Sequence, residues 1–439
     1  MSDDPRTRLR RRLGADARVG LARVWARAKQ IVTTDPTNSD DDDRIVDAAA
    51  ERELARHAGE LKGGVAKVAQ LIAYTGRGAP DELRALWDAA PAAASAAIAQ
   101  VIEAELGAPP ERLFATWDPV PIAAASLGQV HAATDADGRA LAVKVQYPDI
   151  AEALTADVAS DGFVRRLAGL PLGAALSPSA LAVIRAAIVG ELDYRAEAAA
   201  LERAAAAWAG DPVIAIPWVD RARSSRRVLT MERAPGLPLA ELPGGDRALH
   251  AEVALAIVRF AWGSPLCHGF FNADPNPGNY LVAPGDRQGG EPTRVWFLDF
   301  GCTVELDDAL AASDRAIWHG ILDDDPFTGA EKFRMALSAT GLLRKTSSLS
   351  TVIHRDWERA VAAPFRSTEA FAWDRAYASE LTTATRDVLA AGGLELPPAL
   401  ALLWRQRMGV ASVLGMLEPR APFRRALAET LGTGRKALR

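Results

Sequence analysis

The chain has 439 residues, 49% of them apolar, and a formal net charge of −5, enough apolar material for two substantial lobes with cores of their own. Its two cysteines, Cys267 and Cys302, exclude a disulfide framework and point to a reducing, cytoplasmic setting, while six histidines without paired Cys or His spacing argue against structural zinc. A dedicated nucleic-acid partner would call for a more basic chain; the longest uncharged run, 167–184, is interrupted by Pro171 and Pro178, so no transmembrane segment is expected, and no apolar stretch follows the N-terminal arginines as a secretory signal requires.

In chain order, residues 1–45 read as a basic helix and an acidic linker. Leu21, Val24, Trp25, Ala28 and Val32 recur at helical spacing among Arg18, Arg23, Arg27 and Lys29, a pattern that suits either the surface of an anionic membrane, held peripherally, or docking on the protein itself. The Ala-, Leu- and Glu-rich stretch 46–110 predicts a helical extension. Between 111 and 235 the pattern changes to a small lobe. In "RALAVKVQY", Leu141, Val143 and Val145 alternate with Ala142, Lys144 and Gln146, which places Lys144 on the strand face opposite the valines. "DADG" at 135–138 supplies the hairpin turn before that strand. A long helical pattern through "ELDYRAEAAALERAAAAWA" and a strand ending in "LTME" follow, and 236–439 is mostly helical. The expected class is α+β, a small antiparallel-sheet lobe followed by a helical one.

"HGFFNADPNPGNYLV", residues 268–282, holds Asp274 and Asn279 five positions apart in a frame stiffened by proline, and "WFLDFG" closes a short apolar run with Asp299. Taken singly, these are a rigid turn and the end of a buried strand. Phosphoryl transfer on a magnesium-bound nucleotide needs a carboxylate facing the acceptor hydroxyl, with an amide and a second carboxylate on the metal. Upstream, in the order such a site requires, stand a small-residue loop from Ala123 through Ala124, Ala125, Ser126, Leu127 and Gly128 to Gln129, then Lys144, the carboxylates Glu191, Asp193 and Glu197, and Met231 with Glu232.

Over residues 46–340 this set resembles the UbiB family of atypical, protein-kinase-like proteins linked to isoprenoid quinone biosynthesis. "AAASLGQVH" is similar to the family's alanine-rich replacement of the glycine-rich loop, "AVKVQYP" to its lysine strand, "ELDYRAEA" to its acidic helix signature, and "KVAQ" at 67–70 to its Lys-x-Gly-Gln element; "DPNPGN" and "LDFG" complete the match. The resemblance implies a two-lobed protein-kinase-like fold with an N-terminal helical extension, and ATP and Mg2+ as cofactors. It also implies nucleotide contacts along 123–129, at Lys144 and at Met231 and Glu232, metal ligation by Asn279 and Asp299, and a catalytic role for Asp274. Asp193 and Glu197, four apart, would share a helix face from which Glu197 holds Lys144. Glu191 and Asp193 would then engage Lys67 of the extension, beside Gln70. A solvated helix face that also bears Arg195 is the plain alternative for these carboxylates.

Three positions depart from the family pattern: Asn272 and Asn276 stand where histidines are usual, and Ala69 replaces a glycine. After Asp299, "FGCTVELDDALAAS" turns into a helix without a long activation segment, which leaves a protein substrate no docking platform. The expected function is an ATPase or a small-molecule- or lipid-directed phosphotransferase. A nucleotide-binding pseudokinase is the second reading. A soluble kinase of the aminoglycoside or choline type is the third, and it would leave "KVAQ" and "ELDY" unexplained.

Overall fold

The computed structural model describes residues 93–125, 127–159, 185–186, 189–286, 289–339, 351–391 and 398–437. Residues 1–32, the acidic linker, Lys67, Gln70 and Ser126 lie outside the described residues. The chain forms two compact units: the first takes in described residues 93–110, 117–132 and 144–159, the second 111–116, 133–143 and everything described from 185 onward.

α1 (Ser95–Leu106) buries Ile98, Val101 and Ile102. β1 (Thr116–Ala125), β2 (Gly128–Thr134), β3 (Ala140–Gln146) and β5 (Val228–Glu232) form a sheet in the order β1-β2-β3-β5. The expected hairpin turn is present: Asp135 Oδ1 accepts from the backbone N–H of Asp137 and Arg139 at 3.0 and 2.9 Å. β3 departs from simple alternation, because every residue from Leu141 to Gln146 is buried, including Lys144 at 6% exposure. A strand covered on both faces loses the polar–apolar contrast that a half-exposed strand shows. α2 (Ile150–Ala159) follows.

In the second unit, α3 (Tyr194–Ala207), β4 (Ile214–Ala215), β5 and β6 (Leu237–Pro238) precede α4 (Arg247–His268). α4 is buried almost all round, as a helix without a polar stripe must be. β7 (Phe270–Asn272), β8 (Tyr280–Ala283), β9 (Arg294–Phe297) and β10 (Thr303–Glu305) come next. β4 joins β9, β8 and β6 in a sheet of order β4-β9-β8-β6, and β7 pairs with β10. Then follow α5 (Asp308–Ile321), α6 (Pro326–Ala339), α7 (Thr351–Arg366), β11 (Phe371–Ala372), α8 (Arg375–Ala390), α9 (Pro398–Leu417), β12 (Arg420–Ala421) and α10 (Phe423–Ala437). Trp318, Trp357, Phe365, Trp373 and Phe423 are at most 1% exposed and anchor this helical core. The α+β expectation holds. Among the described residues, no helix is long and apolar enough to cross a membrane.

Candidate functional site

Strand register assembles the centre of the site. α4 stops at Gly269, whose φ of +69° turns the chain into β7. β7 and β10 run antiparallel with Asn272 opposite Thr303, and Ala273 N–H donates to the Cys302 carbonyl at 2.9 Å. β8 and β9 provide the second tie. Tyr280 lies opposite Phe297, so Asn279, just before β8, meets the residues just after β9, and Leu298 N–H donates to the Asn279 carbonyl at 3.0 Å. Asp274, Asn279 and Asp299 thereby line one pocket with Asn272, against walls that include Phe260, Tyr280 and Phe297.

Side chains then fix the two loops. Asn276 Oδ1 accepts from Gly278 N–H at 2.9 Å and caps the short turn Pro277–Asn279. Asn279 Nδ2 donates to the Asp274 carbonyl at 3.3 Å, which leaves Oδ1 as the atom the amide offers to a cation. Asn272 does two things at once: its Oδ1 accepts from Asp274 N–H at 3.0 Å, and its Nδ2 donates to the Asp299 carbonyl at 2.5 Å. Asp299 Oδ1 accepts from Gly301 N–H at 2.9 Å. Asp274 is buried, and Arg405 Nη2 of α9 stands 4.0 Å from its Oδ1. Burial first, and the nearby Asp274 charge second, push the Tyr280 phenol far above its ordinary range, so it serves as a neutral wall.

The acidic stretch differs from the helical-face expectation. α3 begins only at Tyr194, and Asp193 is its N-cap. The Asp193 carboxylate accepts from Arg195 N–H and takes a two-point ion pair from the same residue's guanidinium at 2.9 and 2.7 Å. Those Arg195 bonds, ahead of other causes, hold its pKa below the ordinary carboxylate value. Asp193 and Glu197 are therefore not two rungs of one helical face, because a capping residue lies outside the helical turn. Glu197, in the first turn, and Glu191, in the turn before the helix, are both buried. Both approach the second loop: a Cβ at Gly301 would lie 3.6 Å from Glu197 Oε2, 3.8 Å from Glu191 Cγ and 3.3 Å from Asp299 Oδ1. The Cys302 thiol donates to Glu191 Oε1 at 2.9 Å. Carboxylates gathered so closely suit cationic company. No cluster of three or more His, Cys, Asp or Glu that could hold a metal occurs among the described residues. A hard cation at Asn279 and Asp299 would take its other ligands from phosphate and water, as Mg2+ commonly does.

In the first unit, β1 runs straight through Ala125, with Ala123 and Ala124 exposed. Leu127 and Gln129 are 2% and 1% exposed, so their side chains belong to the packing of the lobe. Gln129 Oε1 accepts from Ala93 N–H at 2.9 Å, and its amide nitrogen lies 2.9 Å from His131 Nε2. Gly128 packs against β3, where an added Cβ would lie 2.0 Å from the Val145 carbonyl oxygen. These side chains brace the loop, and the alanines before them form its open part. Lys144 is buried on β3 in this unit, next to Val145. In the second unit, Met231 is buried and Glu232 N–H donates to the Trp218 carbonyl at 2.9 Å.

Sequence reasoning passed over Tyr280, Arg405 and Gln406, the last lining the same pocket. The available signal was "LLWRQRMGV", three polar residues inside an apolar helix, where burial demands partners.

Residues 85–330 match the ABC1 atypical kinase-like domain, more than half of the chain. The chain belongs to that family. Among curated relatives, the mitochondrial atypical kinase COQ8B of Danio rerio is 27% identical over 56% of this chain and 38% of its own length. The mitochondrial atypical kinase COQ8 of Saccharomyces cerevisiae is 29% identical over 41% and 34%, and the probable protein kinase UbiB of Marinobacter nauticus is 34% identical over 42% and 34%. The matches thus span less than two fifths of these relatives. The solved structure of Rv3197 from Mycobacterium tuberculosis, in its erythromycin complex, superposes with a TM-score of 0.63 at 26% identity, covering 88% of this chain and 97% of that one. The UbiB resemblance read from the motifs holds, and the fold of this ABC1 protein is kinase-like.

Proposed function

We propose that this ABC1 protein binds ATP with Mg2+ and either hydrolyses it or transfers its terminal phosphoryl group to a small molecule or lipid. The observation that carries the reading is the double register, β7 with β10 and β8 with β9, that draws Asp274, Asn279 and Asp299 to one pocket. When bound, the magnesium nucleotide supplies the electrophilic phosphorus and the metal's screening of phosphate charge. The chain's own residues do the rest. Asn279 and Asp299 hold the cation, and Lys144, by its match to the family's strand lysine, steadies the phosphates. Asp274 accepts the proton of the attacking hydroxyl or water.

The amides that keep a binding-only reading open have structural work. Asn272 joins the two loops and Asn276 caps a turn, and neither task needs a group that titrates. The short passage from Asp299 to α5, occupied by β10, offers little to a protein substrate and favours water or a small acceptor. Family likeness extends the proposal to support of isoprenoid quinone or lipid metabolism, and the basic, helically spaced pattern of 1–32 extends it to peripheral attachment to anionic membranes.

Phosphate release from ATP, with and without Mg2+, tests this reading on the wild type and Asp274→Asn. Wild-type protein is expected to release phosphate only with Mg2+. In the variant the rate should drop by about 10²–10⁴ with nucleotide still bound. Binding without release by the wild type would establish the pseudokinase reading instead.

A further inference from the structure

We propose that Arg405, on α9 and beyond the stretch matched to the family domain, is a positioning residue for Asp274, so that the reaction centre is completed by the C-terminal helices. α9 is mostly apolar yet carries Arg405, Gln406 and Arg407 in succession. The charge of Arg407 is met elsewhere: two parallel bonds of 2.8 and 2.6 Å reach Asp314 of α5, and its guanidinium lies 4.8 Å from the centre of the Trp318 ring. Arg405 is turned to the site. Its side chain is 10% exposed, Nη2 lies 4.0 Å from Asp274 Oδ1, and among the described residues Nε and Nη2 have no hydrogen-bond partner. Gln406, 2% exposed, lines the pocket with an Oε1 in the same condition.

Helical spacing explains why this face meets the loop. Gly409 lies one turn after Arg405, and a Cβ there would fall 2.1 Å from Pro275 Cγ, so only glycine lets α9 close on the residue after Asp274. Val410, one turn after Gln406, lines the pocket. Buried polar groups without partners call for a reason, and a cation held beside the carboxylate that faces the reaction supplies one. Arg405 offsets the repulsion between Asp274 and incoming phosphates, its charge standing on the Oδ1 side of the carboxylate. This role rests on the proposed reading of Asp274.

The test is a cycle of wild type, Arg405→Met, Asp274→Asn and the double variant, with Arg405→Lys added. Mg·ATP affinity and phosphate release are measured on full-length protein, and thermal unfolding confirms folding. Arg405→Met is expected to weaken Mg·ATP binding several-fold in the wild-type background and not in Asp274→Asn. Its turnover should fall by about 10-fold or more with Arg405→Lys recovering part, a pattern that mere loss of packing would not give. Equal effects of Arg405→Met with and without the Asp274 carboxylate would overturn the inference. If Arg405→Met does not fold, Arg405→Gln takes its place in the cycle. A wild type that binds ATP without releasing phosphate removes the enzyme reading alone, and the affinity cycle still decides Arg405. A wild type that binds no nucleotide removes both.

Discussion

Asn272→Asp removes the donor of the bond that joins the two loops of the site and adds a negative charge beside Asp274 and Asp299. The substitution keeps side-chain size and keeps an acceptor for Asp274 N–H, now at 3.0 Å, but it removes the donor that reaches the Asp299 carbonyl at 2.5 Å. Two oxygens then face each other in a part-buried place. Losing a part-buried bond of this kind costs about 1–2 kcal/mol. At about 2–4 °C per kcal/mol for a domain of this size, the thermal midpoint should fall by about 2–8 °C. Calorimetry reads that shift. Titration with Mg·ATP reads the accompanying loss of affinity, because Asp299 is carried on the loop whose carbonyl is released. Asn272→Ala, which abandons both bonds, should fall further. An Asn272→Asp protein with unchanged midpoint and unchanged affinity would refute the bridging role of this amide.

Asp314→Asn leaves Arg407 buried among aromatic rings without its counter-charge, and urea unfolding should show a loss of about 3–5 kcal/mol; the Asp314→Leu/Arg407→Met pair should lose much less. Gly409→Ala drives a methyl group into Pro275 and should destabilise by about 1–3 kcal/mol while slowing phosphate release, whereas Gly432→Ala, with nothing within 4 Å of the new methyl, should do neither. Burial, the largest cause in each, lowers the pKa of His131 and His354 from the ordinary 6.5. The unfolded chain therefore binds protons that the folded protein resists. Their contribution to stability is complete above pH 6.5 and is lost as pH falls from there through the lowered folded values. Thermal midpoints measured at about pH 7.5 and about pH 5.5 should drop at the acid end, less so in His131→Gln, and equal loss in both proteins would contradict this. Vesicle co-sedimentation should lose its dependence on anionic lipid when residues 1–32 are removed, and an unchanged pellet would dispose of the membrane proposal.

The motifs that proved legible are those whose geometry is local. "DPNPGN" fixes its own turn through Asn276 and two prolines, and "LDFG" ends a strand whose antiparallel neighbour begins one residue after Asn279. The strand carrying Lys144 was legible in period but not in burial, since cover on both faces erases the polar signal. Asp193 misled because an N-cap residue looks in sequence like the first rung of the helix it precedes. α9 was invisible as part of the site for a different reason. Its contacts with Asp274 and Pro275 cross more than a hundred positions, and an apolar helix announces only that it is buried. The paired arginines within it carried the remaining information, and the partner of each is set by tertiary packing alone.

The most direct measurement is Mg2+-dependent ATP affinity for the wild type, Lys144→Met and Asp299→Asn. The proposed magnesium–nucleotide reading predicts tight binding that strengthens with Mg2+ in the wild type, weaker binding that still responds to Mg2+ in Lys144→Met, and loss of the Mg2+ response in Asp299→Asn. Wild-type affinity and an intact Mg2+ response in both variants would contradict it.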